Sequence, residues 1–330
     1  MSNIDRVNRI ITIPYAGLQS VIFGIMLLSF PLGAYIIFNS DIGKEITYQF
    51  PTNGFNIFLG GISFTIPISF EIGDAFILAW IAFLVLFTIS FLGPKGSFLR
   101  VLSQSMSSGL KNMRENGLVN MISWLSILLL SSEIIDRIQT SFGVIIESPK
   151  IQNDLLQFFY LTSSPLTEEI GFRILLIGIP LFLIYSQKTS IVFFLKTLWR
   201  PSEYLKITNH KKAIAIIIAV GIFFGVSHII SGNPWSSGKF AQAAISGIII
   251  GWVYVRYGFA PAVLIHWSTN YFIFSYMYFI SILTQTSVDN ALSSSFSNTL
   301  EGIILVVGIL SLTIKILDYI ENKNRLKIYK

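Results

Sequence analysis

The segment TEEIGFRILLIGIPLFLIY, residues 167–185, joins a cluster of charged side chains to an apolar run. Glu168, Glu169 and Arg173 lie within six residues of one another, whereas residues 174–185 contain no charged side chain. An ionisable group at the centre of a membrane helix costs at least about 2.5–3.5 kcal/mol on insertion scales. The segment therefore predicts a membrane helix whose charged side chains have a structural or functional role.

The composition of the whole chain also indicates a membrane protein. Its 330 residues are 53% hydrophobic and 12% charged, against about a quarter charged in an ordinary soluble domain. Several apolar runs approach or exceed the roughly 18–20 residues that cross a bilayer. The first run is too long for a removable signal peptide and lacks a small-residue cleavage site, so we expect it to remain as a span. The absence of cysteine excludes disulfides, thiolate metal sites and a cysteine nucleophile.

These features predict an all-α fold, a polytopic transmembrane helix bundle of about eight spans in the cell membrane. The predicted spans are residues 18–38, 75–93, 118–137, 157–186, 213–231, 239–255, 260–283 and 300–318. With eight spans, the groups of lysine and arginine between them all fall on one side. Because basic loops stay in the cytoplasm, both termini are predicted to be cytoplasmic. The same clustering accounts for the net charge of +6 without a nucleic-acid partner.

The chain divides into three predicted regions. Residues 1–154 form an N-terminal membrane region with an outer segment, 39–74, and an amphipathic helix in the cytoplasmic interface, 98–113. The alternating, aromatic part of the outer segment predicts a short β-hairpin. Residues 155–285 form the core that carries the intramembrane polar groups, and residues 286–330 form the last span and a basic tail.

Polar side chains recur at helical spacing on three of the predicted core spans. Because positions four apart share a helix face, Glu169 can pair with Arg173, which leaves Glu168 without an obvious local partner. Two further spans carry the pairs Phe224 and His228, and His266 and Asn270, each four residues apart. Three helices could thus direct polar groups into one cavity.

This set of residue types suits peptide hydrolysis. A carboxylate and an imidazole can together remove a proton from water, which then attacks a peptide carbonyl. An imidazole and a carboxamide can donate hydrogen bonds to the developing oxyanion. Two other classes stay open: a proton- or ion-coupled transporter, whose polar groups would be spread along a route, and a catalytically silent membrane scaffold.

The order E-E-x-x-x-R (Glu168, Glu169, Arg173), F-x-x-x-H (Phe224, His228) and H-x-x-x-N (His266, Asn270) resembles the type II CAAX prenyl endopeptidases. This family is also called the CAAX protease and bacteriocin-processing family, and the resemblance covers about residues 155–285. It implies an intramembrane endopeptidase acting on a protein or peptide substrate, prenylated in some members, beside membrane lipids. In that case Glu168 and His228 would activate water and His266 and Asn270 would form the oxyanion hole. Glu169, Arg173 and Phe224 would support them.

The resemblance leaves the cofactor open. A metal-free, glutamate-type mechanism is the expectation, because later mechanistic interpretations of the family favour it. The alternative is a zinc site, for which the candidate ligands are Glu168, Glu169, His228 and His266. Counting 1.5 Å per residue from the basic loops puts the polar groups of the three helices at different depths. We therefore predict that the fourth span is long, starts near residue 155, and is kinked or tilted.

Overall fold

A computed structural model describes residues 3–39, 51–52, 55–59, 62–93, 96–109, 113, 116–147, 154–188, 190–230 and 235–328. Most of these residues are helical. The helices are α1 (Asn3–Asn39), α2 (Ile72–Leu92), α3 (Phe98–Ser108), α4 (Gly117–Ser141), α5 (Asp154–Glu169), α6 (Ile179–Tyr185), α7 (Ile191–Trp199), α8 (Pro201–Tyr204), α9 (His210–Ile230), α10 (Lys239–Tyr257), α11 (Phe259–Trp267), α12 (Ile273–Thr284), α13 (Val288–Leu292) and α14 (Ser295–Ile328). Two π-helical segments, π1 (Ile170–Gly178) and π2 (Ser268–Phe272), join α5 to α6 and α11 to α12.

The described helices form a membrane bundle. Five stretches are long and apolar enough to cross a bilayer: Ile11–Asn39, Ile72–Leu92, Gly117–Ser141, His210–Ile230 and Ser295–Ile320. They coincide with the first, second, third, fifth and eighth predicted spans. The other three predicted spans coincide with α5–π1–α6, α10 and α11–π2–α12, and the count of eight stays a prediction.

The fourth predicted span begins where the sequence indicates. Helix α5 starts at Asp154, and the helical path continues through π1 and α6 to Tyr185, so this stretch is long. Pro165 lies inside α5, and π-helical turns follow directly after Glu169. Proline and π-bulges are the usual causes of helix kinks, which agrees with the expectation of an irregular span.

Close contact between α9 and α10 depends on small residues. A β-carbon added at Gly221 would lie 2.7 Å from the backbone nitrogen of Ile248, and one at Gly225 would lie 2.9 Å from the carbonyl oxygen of Phe240. From the other side, a β-carbon at Gly247 would lie 3.0 Å from the Phe224 β-carbon. Such small residues let membrane helices approach without a gap, and here they bring the start of α10 beside the end of α9.

Helix α1 holds the helical stretch that contains π2. The Tyr271 hydroxyl donates to the Ser29 carbonyl at 2.9 Å and contacts Gly33, where a β-carbon would overlap it. The ring of Trp267 stacks on Phe30 with centroids 5.2 Å apart. Since Trp267, Tyr271 and Phe272 are all fully buried, this packing fixes the position of the neighbouring polar residues.

The outer segment contains the predicted hairpin. Strands β2 (Phe55–Leu59) and β3 (Ile62–Ile66) pair antiparallel, with Phe55 opposite Ile66 and Leu59 opposite Ile62. Strands β1 (Pro51–Thr52) and β4 (Phe70–Glu71) form a second short pair. Strand β2 lies against α5 and π1. The hairpin is thus confirmed, whereas its location outside the membrane stays a prediction.

The amphipathic helix predicted at 98–113 is present as α3, which ends at Ser108. Phe98 and Leu102 are buried, whereas Met106, four residues further along the same face, is 58% exposed. The ring of Phe98 packs against Phe23 of α1, with centroids 4.8 Å apart. Much of this face therefore contacts the protein, because α1 offers aromatic side chains there. Residues 110–112 lie outside the described part of the chain.

Candidate active site

The buried centre of the site is the pair of Glu169 and Arg173. Both side chains are completely inaccessible. Arg173 donates from Nε to Glu169 Oε2 at 2.7 Å and from Nη2 to Oε1 at 3.2 Å. The structure therefore confirms the pair that the four-residue spacing predicts. Two bonds to one carboxylate also fix the plane of the guanidinium.

The guanidinium also meets an aromatic ring from a second helix. Its central carbon lies 5.1 Å from the centroid of the Phe224 ring on α9, in cation–π geometry. The Nη1 nitrogen of Arg173 is buried and has no hydrogen-bond partner among the described residues. The ring face of Phe224 thus provides part of the stabilisation that a full set of hydrogen bonds would otherwise give.

His266 joins the pair from a third helix. Its Nδ1 lies 2.9 Å from Glu169 Oε1, across 97 positions of the chain. On the other edge of the ring, Nε2 lies 3.9 Å from Glu168 Oε2, too far for a direct hydrogen bond. The Glu168 side chain is 20% accessible, against none for Glu169. The two consecutive carboxylates therefore differ in their surroundings. Glu169 is buried and bonded to Arg173 and His266, whereas Glu168 is partly accessible and can bind a further group.

His228 stands on the far side of Phe224. The Phe224 ring lies 4.5 Å from the His228 ring and 5.8 Å from the His266 ring, centroid to centroid. His228 Nδ1 lies 2.8 Å from the Phe224 carbonyl. Because a carbonyl only accepts, Nδ1 carries the proton, and in a neutral ring Nε2 keeps its lone pair. That nitrogen is the one able to accept a proton from a substrate or a water.

Asn270 lies in π2, one turn beyond His266. Its Nδ2 donates to Ser164 Oγ on α5 at 3.1 Å, and its Oδ1 accepts from Thr269 Oγ1 at 3.3 Å. These bonds orient the carboxamide between α5 and the π2 stretch. Each amide hydrogen can make its own bond, so Asn270 retains donor capacity beyond the bond to Ser164.

Contacts connect six of the seven residues singled out in the sequence, and the seventh, Asn270, bonds Ser164 and Thr269 instead. Glu168, Glu169, Arg173, Phe224 and His266 form a continuous network of contacts. His228 is attached to this network through Phe224. No contact within 4.0 Å joins Glu168 to His228 among the described residues, so any joint action of the two needs a group between them.

A metal ion was the alternative occupant of this region. Within the part of the chain that the structure describes, no three or more His, Cys, Asp or Glu side chains are grouped closely enough to share an ion. His266 commits Nδ1 to Glu169 and His228 commits Nδ1 to a backbone carbonyl. The candidate zinc ligands therefore do not form a ready metal site in this arrangement.

Sequence reasoning missed three contacts of the site. The bond from His266 to Glu169 joins distant parts of the chain, and no spacing signals it. Ser164, the partner of Asn270, stands four residues before Glu168, and this shared helix face could have drawn attention to it. Lys239 lies over the ring of Trp235, whose backbone N–H donates to the His228 carbonyl. Its signal was a lysine at the first residue of the sixth predicted span.

Comparisons with known proteins agree with the motifs. No curated protein and no solved structure matches the chain. One family match covers the part of the chain that contains all the site residues described above. This family consists of membrane peptidases, which are hydrolases. Residues 152–272 match the family described as type II CAAX prenyl endopeptidase Rce1-like, which confirms the resemblance that the three motifs predict.

Proposed function

We propose that this protein is an intramembrane endopeptidase that hydrolyses a peptide bond near the C-terminus of a protein or peptide. A prenylated chain end is the substrate class that the family name suggests. The observation that carries the proposal is the approach of His266 Nε2 to Glu168 Oε2, 3.9 Å apart, on the accessible side of a buried ionic network. Two polar atoms at that separation can both bind a small third group.

In this proposal Glu168 and His228 activate the attacking water. Glu168 suits the task because it makes no ion pair with Arg173 and stays partly accessible. His228 suits it because its Nε2 is free while Nδ1 is held by the Phe224 carbonyl. The water donates one proton to these groups as its oxygen attacks the peptide carbonyl. The same proton then passes to the departing amine, so the protein ends the cycle unchanged.

His266 and Asn270 form the oxyanion hole. With Nδ1 donating to Glu169, His266 can donate from Nε2 only as an imidazolium. Asn270 adds an uncharged donor from the next turn.

The proposed setting is a bundle of eight spans with both termini in the cytoplasm and the site among the fourth to seventh spans, in the cell membrane. The lysine-rich segment 188–212 and the interfacial helix α3 would then lie beside anionic lipid headgroups. Three of these spans, α5–π1–α6, α10 and α11–π2–α12, contain the less regular or less apolar helices. Such irregular backbone is tolerated in a membrane where it lines a cavity or is buried in protein.

A transporter is the main rival, and the clustering argues for the protease. A transport route needs ionisable groups at successive depths, whereas Glu168, Glu169, Arg173 and His266 are gathered within bonding or near-bonding distance. Zinc-dependent hydrolysis by the same residues is the second rival. Treatment of the purified protein with a chelator distinguishes it from the metal-free mechanism.

The test is cleavage of a farnesylated peptide that carries three residues after the modified cysteine. Purified protein in lipid vesicles is expected to release the three-residue product. Glu168→Ala and His228→Ala are each expected to lower kcat by a factor of about 10² to 10⁴, the usual contribution of a general acid–base group. Undiminished cleavage by Glu168→Ala would contradict the role given to that carboxylate.

The same assay with a chelator distinguishes the metal-free mechanism from the zinc-dependent one. Treatment with a strong chelator is expected to leave the wild-type rate unchanged. A loss of activity that zinc restores would replace the metal-free mechanism with the zinc alternative. The matched control for both variants is Glu133→Ala, which removes a carboxylate of α4 that pairs with exposed Arg137. It is expected to cleave like the wild type.

A further inference from the structure

One cation beside the site has no place in the reaction described above. Lys239 is the first residue of α10, and α10 packs along α9 so that this end lies beside His228. The backbone N–H of Trp235 donates to the His228 carbonyl at 3.0 Å, and the ammonium of Lys239 sits over the Trp235 ring, 4.2 Å from its centroid. Backbone and side-chain contacts therefore connect Lys239 to the end of α9.

The ammonium group is held but not neutralised. Lys239 Nζ donates to Gln242 Oε1 at 2.6 Å, and both the amide and the Trp235 ring are uncharged partners. Asp136 on α4 attracts the lysine, yet no acidic side chain of the described residues lies within 4.0 Å of it. An ammonium has three donor hydrogens, and the described residues account for one hydrogen bond.

Such a group is suited to an anion that arrives with a ligand. A half-buried cation that lacks an ion partner loses hydration without recovering it, so a carboxylate that binds there gains a charge-assisted bond. The Trp235 ring and Gln242 fix the lysine's direction, so little rotamer entropy is lost when the anion binds.

We propose that Lys239 binds the C-terminal carboxylate of the peptide substrate and thereby makes the enzyme selective for cleavage close to a free chain end. This inference rests on the proposed function and deepens it. An extended peptide covers at most about 3.3–3.6 Å per residue, so a terminal carboxylate lies about 10 Å from a scissile bond three residues upstream. A cation near His228 could therefore bind a terminal carboxylate about 10 Å from the scissile bond.

The test compares peptides that differ only at the chain end. One farnesylated peptide ends in a free carboxylate, the second in a carboxamide, and kcat and KM are measured for both with wild-type protein, Lys239→Met and Lys239→Arg. The wild type is expected to prefer the acid by about 10- to 100-fold in kcat/KM, the usual effect of one hydrogen bond to a charged group. Lys239→Met is expected to remove this preference, so that it cleaves the acid and the amide with similar kcat/KM.

Two further variants sharpen the result. Lys239→Arg keeps the charge and is expected to retain part of the preference. Lys315→Met is the matched control, because Lys315 also lies over a tryptophan ring, 4.5 Å from Trp124, on α14. It should discriminate acid from amide as the wild type does.

The outcomes separate the inference from the proposed function. If the wild type cleaves acid and amide equally, the inference fails and the peptidase stands. Should Lys239→Met slow both peptides by the same factor, the lysine has a structural or general electrostatic role, and the inference fails again. If wild-type protein cleaves neither peptide, the proposed function itself is wrong.

Discussion

Replacing Arg173 with methionine should destabilise the protein by about 3–5 kcal/mol, because breaking a buried ion pair leaves one charge uncompensated. In this structure both partners are fully inaccessible, and two hydrogen bonds of 2.7 and 3.2 Å join them. The variant also loses the contact of the guanidinium with Phe224. His266 remains as a donor to Glu169, so the loss is expected near the lower end of that range.

The double variant Glu169→Gln/Arg173→Met tests the origin of this loss. Since it removes both charges, it should be more stable than Arg173→Met, at about 1–2 kcal/mol below the wild type. With the single variant Glu169→Gln measured as well, the double variant should lose less than the two single variants added together, by a coupling energy of at least about 2 kcal/mol. Unfolding would be followed by tryptophan fluorescence as an anionic detergent replaces a mild one in mixed micelles.

A second Glu–Arg pair serves as the control. Glu133 and Arg137 of α4 have the same four-residue spacing, but the Arg137 side chain is 78% exposed. Exposed pairs of this kind contribute about 0.2–1 kcal/mol, so Arg137→Met should be nearly neutral. The reasoning is refuted if Arg173→Met costs no more than Arg137→Met, or if the double variant loses as much as the two single variants added together.

Two packing predictions can be checked by the same unfolding measurement. Gly221→Ala should cost about 1–3 kcal/mol, the usual effect of an overfilled core, because its β-carbon would lie 2.7 Å from the nitrogen of Ile248. Gly24→Ala, with nothing within 4 Å of the added carbon, should be neutral or slightly stabilising, and an equal loss in both would contradict the close approach of α9 and α10. Tyr271→Phe removes the hydrogen bond to Ser29 and should cost about 0.5–1.5 kcal/mol; a loss below a few tenths would show that α1 is held by ring packing alone.

The membrane helices could be predicted from sequence because hydropathy reports directly on the solvent around them. The second and fifth spans were predicted at 75–93 and 213–231, and the helices run from Ile72 to Leu92 and from His210 to Ile230. The remaining differences lie at helix ends, where the helical hydrogen bonds continue beyond the apolar residues. The three core spans were harder, since polar residues and π-helical turns lower their apolar content.

Contacts within one helix of the candidate site could be predicted from spacing, whereas contacts between helices could not. Spacing of four residues correctly paired Glu169 with Arg173, because both partners lie on one helix. It could not show that His266 would bond Glu169 rather than Glu168, because that choice depends on the rotation of two separate helices. Lys239 was passed over for a related reason. A lysine near a predicted helix end resembles an ordinary solvated charge until the neighbouring helix is in place.

The π-helical segments imply a rule about insertions and deletions in this chain. Each residue in an α-helix turns the direction of its side chain by about 100°, so one residue added or lost reorients everything beyond it. Within Ile170–Gly178 or Ser268–Phe272, such a change would swing one half of the helix away from its neighbours. The residues that connect α8 to α9 are not helical and therefore carry no such phase. Natural variation in length is therefore expected in that connection, while these two wide turns keep their residue count.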